Sequence, residues 1–304
     1  MILKADELVN LNNAVIQPVQ LPGAHFKNIS VSVIRIDKIH AIISGNKWFK
    51  LKYNLENAFL QNKKHIITFG GAWSNHIVAV AYLCRQLGLE CSGIIRGEQP
   101  EKFSETLKDA AAYEMELRFV SRDFYKNKKS LTESLQKDFP EAYIIPEGGQ
   151  NDAGIQGAAE IVDLIPKNQF THIACAVGTG TMIAGLTKAS HDYQNIIGIP
   201  VLRVDPDKND ILDFVASVAN GKSNFQFNYD YHFGGYAKYD NELIAFMNQL
   251  YLENGIPTDF VYTGKLFFAV NDLVAKNFFE EGSEILIIHS GGLQGNRSIK
   301  QLME

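Results

Sequence analysis

Short apolar runs rich in β-branched residues alternate along this chain with longer segments of helical periodicity, a pattern that few folds satisfy. His65-Ile66-Ile67-Thr68-Phe69 reads as a strand, Gly70-Gly71 closes it, and residues 77–87 form the helix that follows. The unit repeats with strands over 91–95, 117–120 and 143–145 and helices over 102–113 and 128–138. Before it, Val31, Val33, Ile34 and Ile36 mark a strand over 29–36. Leu51, Leu55, Ala58 and Phe59, at i, i+4, i+7 and i+8, mark a helix over 47–61 with one buried stripe. After it, a helix over 154–164 leads to strands over 172–177, 196–204 and 285–289. Helices start at Met182 and span 211–219, 241–254 and 266–278, with a loop over 259–265. Strands joined through helices of this length pair in parallel, because the chain must cross back before re-entering the sheet, and helices must then cover both sheet faces. An α/β fold of twisted, mostly parallel sheets is expected. Pro146-Glu147-Gly148-Gly149 is the best boundary signal, and with no repeat or long linker any two lobes would share the chain by crossing over.

Composition removes several function classes. At 304 residues and 46% hydrophobic, the chain has room for a large core and two lobes. Its 34 acidic and 29 basic residues are dispersed, so no basic stripe offers a nucleic-acid surface. Lys4, Asp6 and Glu7 stand where a signal peptide would be apolar, and the longest apolar run, 77–84, is too short to span a membrane; a cytoplasmic protein is expected. Cys84, Cys91 and Cys175 form no CxxC and the eight histidines no HExxH, so neither a metal site nor a disulfide framework is expected.

Two stretches carry candidate chemistry. In Ile43-Ser44-Gly45-Asn46-Lys47-Trp48-Phe49-Lys50-Leu51 a Gly-Asn turn delivers two lysines to the start of a helix. The positive end of the helix dipole disfavours a cation there and so favours the free amine that attacks a carbonyl; two solvated surface lysines are the alternative. Gly178-Thr179-Gly180-Thr181 lies between an apolar strand and a helix start, where converging amides, hydroxyls and the helix N-terminus suit a single phosphate. It is neither a Walker A loop nor GxGxxG, since Ile183 stands at the third glycine position; a tight turn that needs glycine is the competing explanation. Ser74-Asn75-His76 emerges at another strand-to-helix junction, where ligands bind in parallel sheets, with helix capping by Ser74 or Asn75 as the alternative. His76 reads as a satisfied, half-buried histidine, and Tyr236 and Tyr262 offer hydroxyls from irregular segments. One reactive lysine, one phosphate cradle and no metal or dinucleotide motif suggest pyridoxal phosphate, which has one aldehyde to hold and one phosphate to anchor.

In chain order, Ser-Gly-Asn-Lys-x-x-Lys-Leu (44–51), Gly-Gly-Ala-Trp-Ser-Asn-His (70–76), Ile-Pro-Glu-Gly-Gly (145–149), Gly-Thr-Gly-Thr (178–181), Val-Tyr-Thr-Gly-Lys (261–265) and His-Ser-Gly-Gly (289–292) resemble the motif series of the 1-aminocyclopropane-1-carboxylate deaminase and D-cysteine desulfhydrase family. The resemblance implies the two-lobed, tryptophan-synthase-β-like fold of pyridoxal-phosphate enzymes. A small lobe over 51–161 would be inserted into a large cofactor-binding lobe of 1–50 and 162–304, and the protein would be a homodimer. It also implies Lys47 as the Schiff-base lysine, Asn75 beside the cofactor ring's hydroxyl, Ser74 near the substrate carboxylate, and Gly178, Thr179, Gly180 and Thr181 as the phosphate cradle. Tyr236 and Tyr262 match the active-site tyrosines, although the Gly-Gly-Tyr-Ala-Lys-Tyr around Tyr236 and the Leu293-Gln294-Gly295-Asn296-Arg297 segment depart from the family pattern.

Ring-opening deaminases resemble one another in having glutamate after the second tyrosine, facing the pyridine nitrogen, where desulfhydrases have threonine. Thr263 at that position implies β-elimination from a small amino acid, with D-cysteine giving pyruvate, sulfide and ammonia as the leading case. Ring-opening deamination of 1-aminocyclopropane-1-carboxylate is the alternative. A non-catalytic phosphate-ligand-binding module, with Lys47 on its surface, is the rival from another class, and an NAD-dependent enzyme is disfavoured by the missing glycine fingerprint.

Overall fold

The computed structural model describes residues 7–22, 28–203, 210–299 and 301–303. The chain runs through β1 (Ile16–Pro18), β2 (Ser30–Ile34), α1 (Asn46–Leu60), β3 (His65–Gly70), α2 (Asn75–Leu87), β4 (Glu90–Arg96), α3 (Glu105–Ala112), β5 (Glu116–Val120), α4 (Arg122–Lys126), α5 (Lys128–Asp138) and β6 (Ala142–Ile145). It continues through α6 (Asp152–Ala159), β7 (His172–Val177), α7 (Thr181–Ala189), β8 (Asn195–Pro200), α8 (Asp210–Val218), β9 (Phe225–Phe227), α9 (Asn241–Asn254), α10 (Thr263–Ala275) and β10 (Glu284–Ile288). One sheet, ordered β5-β4-β3-β6, is wholly parallel. The other, ordered β1-β2-β10-β7-β8-β9, is parallel except where β1 meets β2. The fold is α/β, as expected.

Both faces of each sheet are covered, which is why the strands read as unbroken apolar runs. On β7, Ile173, Cys175 and Val177 join one core while Ala174 and Ala176 join another, and β10 divides Leu286 and Ile288 from Ile285 and Ile287 in the same alternation. Leu243 and Met247 of α9 and Leu266 and Val270 of α10 cover one face of the larger sheet. Between the sheets lies a shared core that takes Trp48 and Leu55 from α1, Ile77 and Leu83 from α2, and Leu186 from α7. Tyr125, Leu131 and Leu135 cover the remaining face of the smaller sheet.

The central helices cross at backbone contact. A Cβ on Gly157 of α6 would lie 1.7 Å from the carbonyl oxygen of Phe49 in α1, and one on Gly185 of α7 would lie 2.6 Å from Ala158 Cβ. Only hydrogen at these positions lets α1, which bears the two lysines, and α7, which opens at the 178–181 turn, pack on the same partner.

Several boundaries differ from the sequence expectation. The strand expected over 29–36 stops at Ile34: Asp37 takes Nε and Nη2 of the buried Arg35 at 2.8 and 2.7 Å, and the chain turns into a 3-10 helix at Ile36–Ile39. The strand expected over 196–204 ends at Pro200, and Val204 lies outside the described residues, as do Lys4 and Asp6. The loop expected over 259–265 gives way to α10 at Thr263, because the buried carboxylate of Asp259 accepts from the N–H groups of Val261, Tyr262 and Thr263 and starts the helix early. Asn277, at φ 55°, follows the end of that helix before residue 278. β1 and β9 have three residues each, too few for a period of two to show. Among the described residues no helix is long and apolar enough to cross a membrane, and no cluster of His, Cys, Asp or Glu could hold a metal ion.

Candidate active site

The carboxyl ends of strands from both sheets converge on one cavity of about 360 Å³, within the size range of small-ligand sites. β3 contributes Gly71, Ser74, Asn75 and His76; β4 contributes Arg96, β6 contributes Glu147 and Gly148, β7 contributes residues 178–180, and β10 contributes Ser290. The start of α1 reaches this edge through Gly45. At φ +64°, with a Cβ that would stand 2.0 Å from Ser290 O, Gly45 allows Asn46 N–H to donate to that same oxygen at 3.3 Å.

Lys47 and Lys50 both line the cavity. Lys47 Nζ donates to Asn46 Oδ1 at 2.6 Å. Burial pushes Lys47 down to about 8 against the opposing charge of Asp259, and pushes Lys50 down to about 7 with help from Lys47. The lowering expected from the helix N-terminus is therefore chiefly desolvation: enclosure penalises the charged amine more than any other influence on it.

Capping does not explain the polar residues after β3. Ser74 occupies the N-cap position of α2, yet its side chain makes no capping bond, and Asn75 is already helical. Asn75 Nδ2 donates to Gly292 O at 3.4 Å, while its Oδ1 is buried without a partner. His76 is neither half-buried nor satisfied, being 4% exposed with Nδ1 unpartnered. Thr68 spends its one hydroxyl proton on Ile145 O at 2.9 Å, so the 2.9 Å contact with His76 must run from Nε2–H to Thr68 Oγ1. The imidazole is thereby fixed with Nδ1 as a bare acceptor. Burial, then the charges of Lys50 and Lys47, push its pKa down to about 3 and keep it neutral.

Gly180, in the left-handed region at φ 86°, caps α7. Gly178, Thr179 and Gly180 line the cavity, beside first-turn amides of α7 that have no partner inside the helix. Thr181 is fully buried and turned elsewhere, its hydroxyl donating to Gly148 O at 3.3 Å beside Thr179 Oγ1 at 3.1 Å; it ties the turn to the 145–149 elbow. Tyr236 and Tyr262 share the cavity wall with ring centroids 6.4 Å apart, edge to face, and burial raises the pKa of both. Tyr236 also donates to Trp73 O at 3.5 Å. Thr263 does not line the cavity: fully buried, it donates to Asp259 Oδ1 at 2.7 Å and accepts from Asp259 N–H at 2.8 Å.

Sequence reasoning missed Asp259, whose signal is slight: an acidic residue four positions before a helix start. It also passed over Arg96 and Glu147, although the carboxyl end of a strand in a parallel sheet is where a ligand contact is to be sought. Chemically, the cavity offers an amine with access to its neutral form, unpaired buried acceptors and an anion-accepting helix end. That is equipment for a small phosphorylated carbonyl compound.

The chain is 30% identical over 297 residues to a Pyrococcus horikoshii protein provisionally named 1-aminocyclopropane-1-carboxylate deaminase, covering 91% of each. It is 29% identical over 280 residues to the mitochondrial bifunctional D-cysteine desulfhydrase/1-aminocyclopropane-1-carboxylate deaminase of Arabidopsis thaliana, covering 83% of this chain and 70% of that one. The crystal structure of an ACC deaminase homologue matches it with a TM-score of 0.77 at 29% identity, over 97% of both chains. The family described as pyridoxal-phosphate dependent enzyme matches residues 38–291. With that match spanning both lysines, the 178–181 turn and both cavity tyrosines, the chain belongs to the pyridoxal-phosphate dependent enzymes, in the family that groups 1-aminocyclopropane-1-carboxylate deaminases with D-cysteine desulfhydrases.

Proposed function

We propose that the protein is a lyase that eliminates the β-substituent of a small amino acid, with D-cysteine, giving pyruvate, sulfide and ammonia, as the leading substrate. The observation that carries this reading is Thr263. The residue after the second cavity tyrosine is a hydroxyl engaged on both sides by Asp259, so no carboxylate enters the cavity from that position. Opening a cyclopropane ring demands a stronger electron sink than expelling a thiolate, and an acid at the ring nitrogen is what would strengthen it. The name of the Arabidopsis relative joins both activities, which leaves the discrimination to individual residues.

The residues fit the cofactor. The unpartnered Oδ1 of Asn75 suits a ring hydroxyl, and the first-turn amides of α7 beside Gly178, Thr179, Gly180 and Thr181 suit its phosphate. Bound pyridoxal phosphate supplies an aldehyde to be held covalently and a ring that draws electron density from the substrate Cα. Lys47 would hold it through Nζ, which burial keeps partly unprotonated near neutral pH. Ser74 Oγ orients the substrate carboxylate, and Lys47 Nζ and Ser74 Oγ are the groups on this wall suited to take the Cα proton. Tyr236 and Tyr262, protonated because burial disfavours the phenolate, exclude water and keep a proton available to the leaving group.

Replacing Thr263 with Glu tests the assignment. Sulfide release from D-cysteine should fall by at least about tenfold relative to 2-oxobutyrate release from 1-aminocyclopropane-1-carboxylate, a difference of about 1.4 kcal/mol between the two barriers. Two unchanged rates would remove Thr263 as the discriminating residue.

A further inference from the structure

Strands β3, β4 and β6 each send residues into the cavity from their carboxyl ends, and the one from β4, Arg96, has no part in the chemistry above. Pairing of β3 with β4 extends to Gly70 opposite Ile95, so the next step on each strand sets Arg96 beside Gly71. Its Nη2 lies 3.4 Å from where a Cβ on Gly71 would stand. Gly71 opens the loop that delivers Ser74 and Asn75, and the same loop receives the hydroxyl of Tyr236 at Trp73 O. The guanidinium and the Tyr236 hydroxyl therefore both border the segment that presents Ser74.

Arg96 is exposed where it lines the cavity, and the charges nearby leave it free to meet a ligand. Glu147, an acid on the same wall, is taken by Lys128 at 2.5 Å. That ammonium stands 3.3 Å from the centre of the Tyr125 ring, which Arg96 approaches to 5.8 Å. Two cations thus meet the carboxylate of Glu147, Asp210 is the other acid that lines the cavity, and among the described residues no ion pair joins Arg96 to either. A thiol side chain leaves that charge unused, whereas a phosphate or sulfate ester matches the paired donors of a guanidinium.

Resting on the elimination reading, we propose that Arg96 is a specificity-determining residue that receives a negatively charged β-substituent, so that beside D-cysteine the enzyme takes small 2-amino acids whose leaving group is phosphate or sulfate in preference to those with a neutral ester or a halide. The reaction balances as it does for a thiol. A base takes the Cα proton, the C–H electron pair forms the Cα–Cβ π bond, and the Cβ–O pair departs as phosphate or sulfate. Water then hydrolyses the resulting enamine to pyruvate and ammonia.

The test compares holoenzyme turnover of O-phosphoserine and O-sulfoserine with that of O-acetylserine and β-chloroalanine, both enantiomers of each, in the parent, Arg96→Met and Arg96→Lys. The parent should favour the anionic pair. Arg96→Met should lower the ratio of anionic to neutral kcat/KM by roughly 10–100-fold, mainly through KM, and Arg96→Lys should restore part of it. Calorimetry with O-phospho-α-methylserine against α-methylserine, which have no Cα proton to lose, gives the same preference without turnover. An anionic-to-neutral ratio that does not move in Arg96→Met, with neutral substrates turned over, overturns the role of Arg96 and leaves elimination standing; a uniform loss would mean that Arg96 reads the α-carboxylate common to all. No pyruvate from any substrate, β-chloroalanine included, overturns elimination, and the calorimetric preference then decides Arg96 alone.

Discussion

Replacing Lys47 with alanine is expected to lower kcat/KM for elimination by about 10⁴-fold or more and to remove the site at which borohydride fixes the cofactor to the chain. The prediction separates two lysines that local chemistry alone does not. Lys47 and Lys50 are three residues apart on α1, both line the cavity, and burial lowers both. The family motif singles out Lys47. Visible absorption before and after borohydride, followed by peptide mapping, should place the reduced pyridoxyl group on Lys47 in the parent and in Lys50→Ala alike. A label on Lys50, or a protein that stays colourless with added pyridoxal phosphate, would defeat the assignment.

The same lysine predicts a pH dependence whose sign follows from its lowered pKa. Below about 8 the amine carries its proton and does not attack; above it the free amine predominates. Covalent uptake of pyridoxal phosphate by the cofactor-free protein should therefore accelerate as pH rises through about 8 and then level off. Stopped-flow absorbance across that interval measures it, and a rate that falls as pH rises would place the controlling proton elsewhere.

Gly157→Ala is expected to destabilise the fold by about 3 kcal/mol or more, although it adds a single methyl group. That methyl would stand 1.7 Å from Phe49 O, an approach relieved only by moving α6 away from α1. Because α6 also packs on α7 through Gly185 and Ala158, the displacement pulls at both walls of the cavity, and cofactor affinity should fall along with stability. Gly88→Ala is the control. At the C-cap of α2 it has a left-handed backbone but no atom within 4 Å of the new Cβ, so only the conformational cost of about 1 kcal/mol applies. Denaturation midpoints and cofactor titrations of the two variants decide the matter: similar losses at both positions would show that the helix crossing tolerates the extra atom.

Much of the architecture was legible because it rests on local periodicity. Helices α5 and α9 begin and end where the apolar spacing places them, and among the described residues every strand but β1 and β9 overlaps an expected apolar run, since a strand buried on both faces has no polar side to hide. Lys47, Gly178, Thr179, Gly180 and Tyr262, which the motif series singled out, line one cavity. What stayed hidden depends on partners far along the chain. The start of α10 needed the side chain of Asp259 to be read as a cap, and the relevance of Arg96 needed the β3–β4 register.

By itself the sequence determined the α/β class, the alternation of the longer strands and helices, and which short motifs carry chemistry, because these follow from residue type and spacing within a few turns of chain. Only the tertiary structure decided the state of those groups. Lys47 is held to about 8 because walls from both sheets strip its water. His76 presents a bare Nδ1 because the carbonyl of Ile145, from β6, claims the hydroxyl proton of Thr68. Thr263 turns from the cavity because Asp259 occupies it on both sides. Desolvation and hydrogen-bond direction are properties of what surrounds a side chain, and those surroundings exist only once the distant strands have come together.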